Sequence, residues 1–226
     1  SKFIQADNIK THYLESGAGE EMILLHGGKP GVPTSCQDWE FNIDGLSKHF
    51  HVYSLDQRGF GLTDVPPTDC THAARINHVI HFMDAIGIES AHLVGHSLGG
   101  YVSAAITIKS PKRVKSLVIV NSGTTAPLGI IDEYGRVAPA NARSHSFDPK
   151  SDRVFAREVL EGGIYNKELI TEEMVDRWYN GFKEYPPIRE EDLAIIDKVY
   201  RDSLTDSLEK ISRPTLIIWG RQDEGS

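Results

Sequence analysis

Apolar residues fall along this chain in two rhythms. Short continuous runs occur at Met22-Ile23-Leu24-Leu25, at the stretch leading into Gly95, at Val114 to Val120 and at Pro214-Thr215-Leu216-Ile217-Ile218-Trp219-Gly220. Runs of that length predict strands buried in a sheet, and His51-Val52-Tyr53-Ser54-Leu55-Asp56 reads the same way. Between them Ile76, Val79, Ile80, Met83 and Ile86 recur at helical spacing, which predicts a helix packed against that sheet. The alternation stops over residues 126–208, where no run predicts a strand. Arg153 to Leu160 and Thr171 to Phe182 are rich in charged helix formers, and Gly162-Gly163 and Pro186-Pro187 divide the stretch into pieces. The pattern predicts one α/β core, residues 1–125 and 209–226, carrying a helical insertion at 126–208. Because both ends of the insertion return to the same sheet, it is not expected to be an independent domain. No internal repeat or low-complexity tract interrupts this order.

Composition narrows the function classes. The 226 residues are 39% hydrophobic, and 24 Lys and Arg against 32 Asp and Glu leave a net charge of -8. An acidic chain without clustered basic residues is not expected to bind nucleic acid. No apolar run approaches the roughly 20 residues of a membrane-spanning helix, and Ser1 to Asp7 lacks a signal-peptide core, so a cytoplasmic protein without membrane association is expected. Cys36 and Cys70 are too few for a disulfide framework and are expected as reduced thiols. No Cys or His spacing matches a metal site, and no cofactor is expected.

The chemistry concentrates at Gly95-His96-Ser97-Leu98-Gly99, where a strand-like run breaks and a helix-like stretch begins. Glycines two before and two after a serine are what a tight strand-to-helix turn needs sterically; this is the sequence form of a nucleophile elbow. Ser97 on such a turn is exposed to substrate, and the Leu98 N–H at the helix start can stabilise an oxyanion. Upstream, the run at 22–25 ends in His26-Gly27-Gly28-Lys29-Pro30-Gly31, a loop of the type that supplies a second N–H, assigned to Gly28. Gly27, His96 and Lys29 are candidate pocket residues. Lys29 could attract a substrate carboxylate, although a solvated loop lysine is the preferred reading of the sequence.

These motifs resemble the α/β-hydrolase family over nearly the whole chain. The Gln57-Arg58-Gly59-Phe60-Gly61 turn after the strand at 51–56 is one that many members carry. The resemblance implies a mostly parallel central sheet, a helical cap over the serine, and a triad acid at the end of the late strand, where Asp223 stands. Asp56 ends an earlier strand and is expected to hold its turn. The family order is Ser, Asp, His, yet the 10 histidines all lie at or before His145, so the catalytic histidine and the family's last strand and helix are expected outside the sequence given. His26 is expected to shape the oxyanion loop, His145 to be a surface residue of the cap, and His49, His51, His78, His81 and His92 to be structural. Without a further strand, Thr215 to Trp219 is expected to form an apolar sheet edge.

The serine nucleophile sets the chain apart from family branches that form an ester on a carboxylate, and leaves acyl transfer to water. The His26 to Gly31 loop with the following Trp39 resembles the meta-cleavage-product hydrolases, which cut carbon–carbon bonds of vinylogous diketo acids from aromatic ring fission. That branch generally has Gly where Lys29 stands, and often Asn where His96 stands. The Asp56-Gln57-Arg58-Gly59 turn also resembles proline iminopeptidases, so a carboxylesterase or iminopeptidase-like hydrolase is the alternative. A small-ligand-binding member without catalysis is a third reading. The implied partner is a small-molecule substrate, with a homodimer possible by analogy.

Overall fold

A computed structural model of the protein describes residues 1–28, 32–64, 71–125, 153–184 and 204–222. Its centre is a seven-stranded sheet. In chain order the strands are β1 (Lys2–Ala6), β2 (Ile9–Ser16), β3 (Glu20–Leu25), β4 (Phe50–Leu55), β5 (Ala91–His96), β6 (Val114–Val120) and β7 (Thr215–Ile218). They lie in the order β1-β2-β4-β3-β5-β6-β7. The first two pair antiparallel, β2 joins β4 antiparallel, and every later pairing is parallel. The predicted strands at 22–25, 51–56, 91–94, 114–120 and 214–220 all stand in it. The antiparallel β1–β2 pair was not singled out by the apolar pattern, because neither strand holds a continuous apolar run; in β2 the buried residues include the polar Thr11 and His12.

Helices cover both faces. Helices α2 (His72–Ile86) and α3 (Leu98–Lys109) lie on one, where Val79, Phe82, Met83, Val102 and Ile106 pack with Ile23, Leu25, Leu93 and Leu117. Helix α2 starts where the Thr71 hydroxyl accepts the Ala74 N–H, an N-cap of the usual kind. On the other face Met22, Leu24, Val52 and Val94 meet Trp39 and the inner side of α1 (Glu40–Leu46). A parallel sheet sandwiched this way explains why β3 to β6 read as apolar runs.

Of the insertion predicted at 126–208, the described part contains α4 (Arg153–Gly163) and α5 (Glu172–Glu184), with residues 204–208 at its end. The two helices pack on each other through Ala156, Leu160, Met174, Val175 and Phe182, and Gly162 and Gly163 close α4. Helix α5 is fastened to the core by Arg177, which donates to both carboxylate oxygens of Glu40 at 2.6 and 3.2 Å. At Gly181 a Cβ would lie 2.4 Å from the Cβ of Pro33, so the helix approaches the segment at Pro33 as closely as glycine permits. At the other end of the sheet β7 is an edge, with Leu216, Ile217, Ile218 and Trp219 exposed, as expected for residues 215–219. Among the described residues no helix is long and apolar enough to cross a membrane.

Candidate active site

Strand β5 delivers Ser97 to the C-terminal edge of the sheet, between β3 and β6. Its backbone is at φ 49°, ψ −117°, a conformation L-residues seldom occupy, so the turn is strained at the serine itself. Neighbours hold it there: the Ser97 N–H donates to the Val120 carbonyl at 3.0 Å, and the Ser97 carbonyl accepts the Ser122 hydroxyl at 2.5 Å and the Gly100 N–H at 2.9 Å. The flanking glycines are required by close approach. A Cβ at Gly95 would fall 2.1 Å from the Gly99 carbonyl oxygen, and one at Gly99 would fall 2.1 Å from the Leu25 carbonyl oxygen. The helix can therefore start against the end of β3 only without side chains at these positions. Leu98 opens α3, in the turn whose N–H groups find no acceptor in the helix itself and carry the positive end of its dipole.

The candidate oxyanion loop leaves β3 beside this turn. A Cβ at Gly27 would stand 2.8 Å from His96 Nδ1 and 3.0 Å from Ser97 Cβ, so the Gly27 backbone lies against both residues. Gly28 follows at φ 135°, in the region that favours glycine, and a Cβ there would meet Thr34 Oγ1 at 2.3 Å and the Phe60 ring at 2.9 Å. His26, fully buried, fixes the peptide between the two glycines. Its Nε2 accepts the Gln57 N–H at 3.1 Å, so the ring proton is on Nδ1 and is donated to the Gly27 carbonyl at 2.5 Å. Carbonyl and N–H point opposite ways across a trans peptide, so the Gly28 N–H faces away from the His26 ring. Burial, only partly offset by the Asp56 carboxylate, lowers the His26 pKa to about 4 and keeps the ring in this neutral form.

A turn at the end of β4 supports the loop from behind. The Asp56 carboxylate accepts the Cys36 N–H at 2.6 Å on Oδ1, and His12 Nδ1 at 2.7 Å and the Leu62 N–H at 2.8 Å on Oδ2. Burial raises its pKa, but the hydrogen bonds from His12 and from these backbone N–H groups outweigh burial and hold it below the usual carboxylate value. The thiol of Cys36 is pushed up, first by burial and then by the Asp56 charge. His12, Cys36 and Asp56 place metal-type donor atoms within 4.8 Å of one another, a grouping that no sequence spacing could reveal. Since both Asp56 oxygens already accept protein N–H groups, we read the cluster as a tether between β2, β4 and the segment at 36. This matches the expectation that Asp56 holds its turn.

Of the residues singled out in the sequence, Gly27, Gly28, His96, Ser97 and Leu98 come together at one edge of the sheet. Lys29 and Asp223 lie outside the described residues, as do Cys70, His145 and Pro186-Pro187. Cys36 is a free, buried cysteine. His51 and His92 pair with Glu15 and Glu20, His78 is buried on the inner side of α2, and His81 stands near Asp7. The sequence reading passed over His12, Thr34 and Ser122, whose side chains meet Asp56, the Gly28 backbone and the Ser97 carbonyl, each from another segment of the chain.

Comparison with known proteins agrees with this geometry. The profile of the family described as alpha/beta hydrolase fold matches residues 21–225. The chain is 28% identical to the 2-hydroxymuconate semialdehyde hydrolase of Pseudomonas sp. strain CF600, over 98% of this chain and 76% of that protein. It is also 28% identical to the dihydrolipoyllysine-residue acetyltransferase component of the acetoin cleaving system of Cupriavidus necator, over 99% of this chain but only 57% of that longer protein. A crystallised mutant of the meta-cleavage product hydrolase of Pseudomonas fluorescens IP01, complexed with acetates, superposes with a TM-score of 0.76 at 26% identity, over 99% of this chain and 80% of that one. With a profile match over nearly its whole length, a mostly parallel sheet and a strained serine turn between β5 and α3, the chain belongs to the α/β-hydrolase fold family.

Proposed function

We propose that the protein is a serine hydrolase working through an acyl-enzyme, and that its substrates are vinylogous diketo acids whose carbon–carbon bond it cuts. The observation that carries the reading is Ser97 at φ 49°, ψ −117°, with the Gly27 backbone against it and the first turn of α3 beneath it. Ser97 Oγ attacks the substrate carbonyl, and the Gly28 and Leu98 N–H groups take the oxyanion. A histidine oriented by Asp223 receives the Ser97 proton and returns it to the leaving group. For a dienol substrate, ketonisation comes first, so that the carbon leaving group departs as a stabilised, protonatable carbanion. Water then releases the acid from Ser97. The relatives named for 2-hydroxymuconate semialdehyde and meta-cleavage product hydrolysis support this substrate class. Helices α4 and α5, held over the segment at 33–40, act as the cap of the pocket, with His96 at its wall. A cytoplasmic homodimer is part of the proposal, and light scattering showing a monomer would remove that part.

The test follows the absorbance of a ring-fission dienoate beside a p-nitrophenyl ester, using full-length protein and its Ser97→Ala variant. Ser97-dependent loss of the dienoate alone supports carbon–carbon hydrolysis. Turnover of the ester alone makes the protein a carboxylesterase-like enzyme, and no turnover of either favours a ligand-binding role.

A further inference from the structure

We propose that Asp56 and Gln57 are positioning residues for the oxyanion hole, two adjacent side chains that hold the loop bearing Gly28 by both of its arms. The inference rests on the reading of Gly28 as an oxyanion donor. Strands β3 and β4 run parallel with Leu25 beside Leu55, so the loop that follows Leu25 and the turn that follows Leu55 emerge side by side. Successive residues in an extended chain point to opposite sides. Gln57 reaches the near arm: its Nε2 donates to the His26 carbonyl at 2.6 Å, and its backbone N–H donates to the His26 ring at 3.1 Å. Asp56 reaches the far arm, where Oδ1 accepts the Cys36 N–H at 2.6 Å.

The far arm is held at both of its backbone groups, because the Cys36 carbonyl accepts the Ser54 hydroxyl at 2.8 Å from the same strand, β4. The Asp56 carboxylate is itself braced by His12 on β2, with the Thr63 hydroxyl joining the His12 N–H at 2.9 Å to the Asp56 carbonyl at 2.8 Å. Between the two arms, the His26 ring turns the Gly27 peptide and the Phe60 ring fills the space beside Gly28. Phe60 belongs to the turn as well, its N–H donating to the Gln57 carbonyl at 2.9 Å. Gln57, Asp56, Cys36 and His26 are buried, so water cannot readily replace these bonds when one is removed. Neither Asp56 nor Gln57 is proposed to touch substrate; each acts through the loop. A donor displaced by about 1 Å can cost about a hundredfold in rate, so the placement of Gly28 matters as much as its presence.

The experiment compares Gln57→Met, which keeps size and removes the donor, with Asp56→Asn, in the full-length protein. It measures kcat, KM, affinity for a trifluoromethyl ketone that forms a tetrahedral adduct on serine, and affinity for the planar carboxylate product. The expected result is a fall in kcat of about tenfold to a hundredfold with KM within about twofold. Ketone affinity should fall in step with kcat, and product affinity should be unchanged. If kcat, product affinity and thermal midpoint fall together, the residues only support the fold, and the inference is overturned. Should Asp56→Asn not fold, Gln57→Met alone decides. The underlying reading is checked separately with Ser97→Ala: turnover that survives this substitution overturns the site, whereas turnover lost in Ser97→Ala but unaffected in Gln57→Met overturns the tether only.

Discussion

Acid should unfold this protein through its buried histidines, and one substitution can show it. His26, His72 and His78 are 0%, 3% and 2% exposed, and burial lowers each pKa from 6.5 to about 4. Arg75 near His72 and Arg58 near His78 push in the same direction. The hydrogen bonds around His78 require the neutral ring: Nδ1 accepts the Arg58 N–H at 3.2 Å, and Nε2 donates to Thr11 Oγ1 at 2.8 Å, whose own proton goes to the Ile9 carbonyl. Their folded-state pKa values lie below the unfolded one, so between pH 6.5 and about 4 the unfolded chain binds more protons. Stability is complete above pH 6.5 and is lost as pH falls toward 4. Each titrating ring contributes a slope of up to about 1.4 kcal/mol per pH unit, so the set gives about 4 kcal/mol per unit. Over the window that approaches about 10 kcal/mol, the whole stability of an ordinary domain. His78→Asn keeps an acceptor for the Arg58 N–H and removes one titration. Urea unfolding at a series of pH values should show the slope reduced by about a third. An unchanged slope in His78→Asn would refute the reasoning.

Further substitutions test other parts of the structure. Gly99→Ala drives a methyl into the Leu25 carbonyl oxygen at 2.1 Å, backbone against backbone, and should cost about 1–3 kcal/mol, read as a lower thermal midpoint together with lost turnover. Ser97→Gly relieves the strain at φ 49° and should melt above Ser97→Ala, which retains it, by an amount equivalent to about 1 kcal/mol, although both are inactive. The Arg177–Glu40 pair is partly exposed, so Arg177→Met should change global stability by less than about 1 kcal/mol while making α5 more sensitive to limited proteolysis.

The layered core was legible because β3, β5 and β6 each carry an apolar cluster, at Met22–Leu25, Leu93–Val94 and Leu117–Val120, and the periodicity of Ile76, Val79 and Met83 located α2. Helix α1 escaped notice, since the short Glu40–Leu46 stretch offers too few apolar positions to set a period. The serine turn was legible for a different reason. Gly95 and Gly99 are demanded by contacts within a few residues of Ser97 or with the adjacent strand end, so the constraint is written locally. The tether was hidden, because His12, Cys36 and Asp56 meet only after three segments fold together. Gln57 stood in plain view within the turn motif, but nothing local indicates that its amide reaches back to His26.

The hydrogen bond from the Ser97 N–H to Val120 extends the pairing of β5 with β6 one residue past the end of the strand. The proposed nucleophile, half-buried as a residue, is thereby tied into the sheet through its backbone. In deuterium-exchange terms, the Ser97 amide should exchange with the slow amides of β5 rather than with the fast amides of neighbouring loops, because releasing it means opening the middle of the sheet. In the proposed reaction, substrate comes and goes above Ser97 on every turnover, while the peptide beneath it waits for a rare excursion of the whole core.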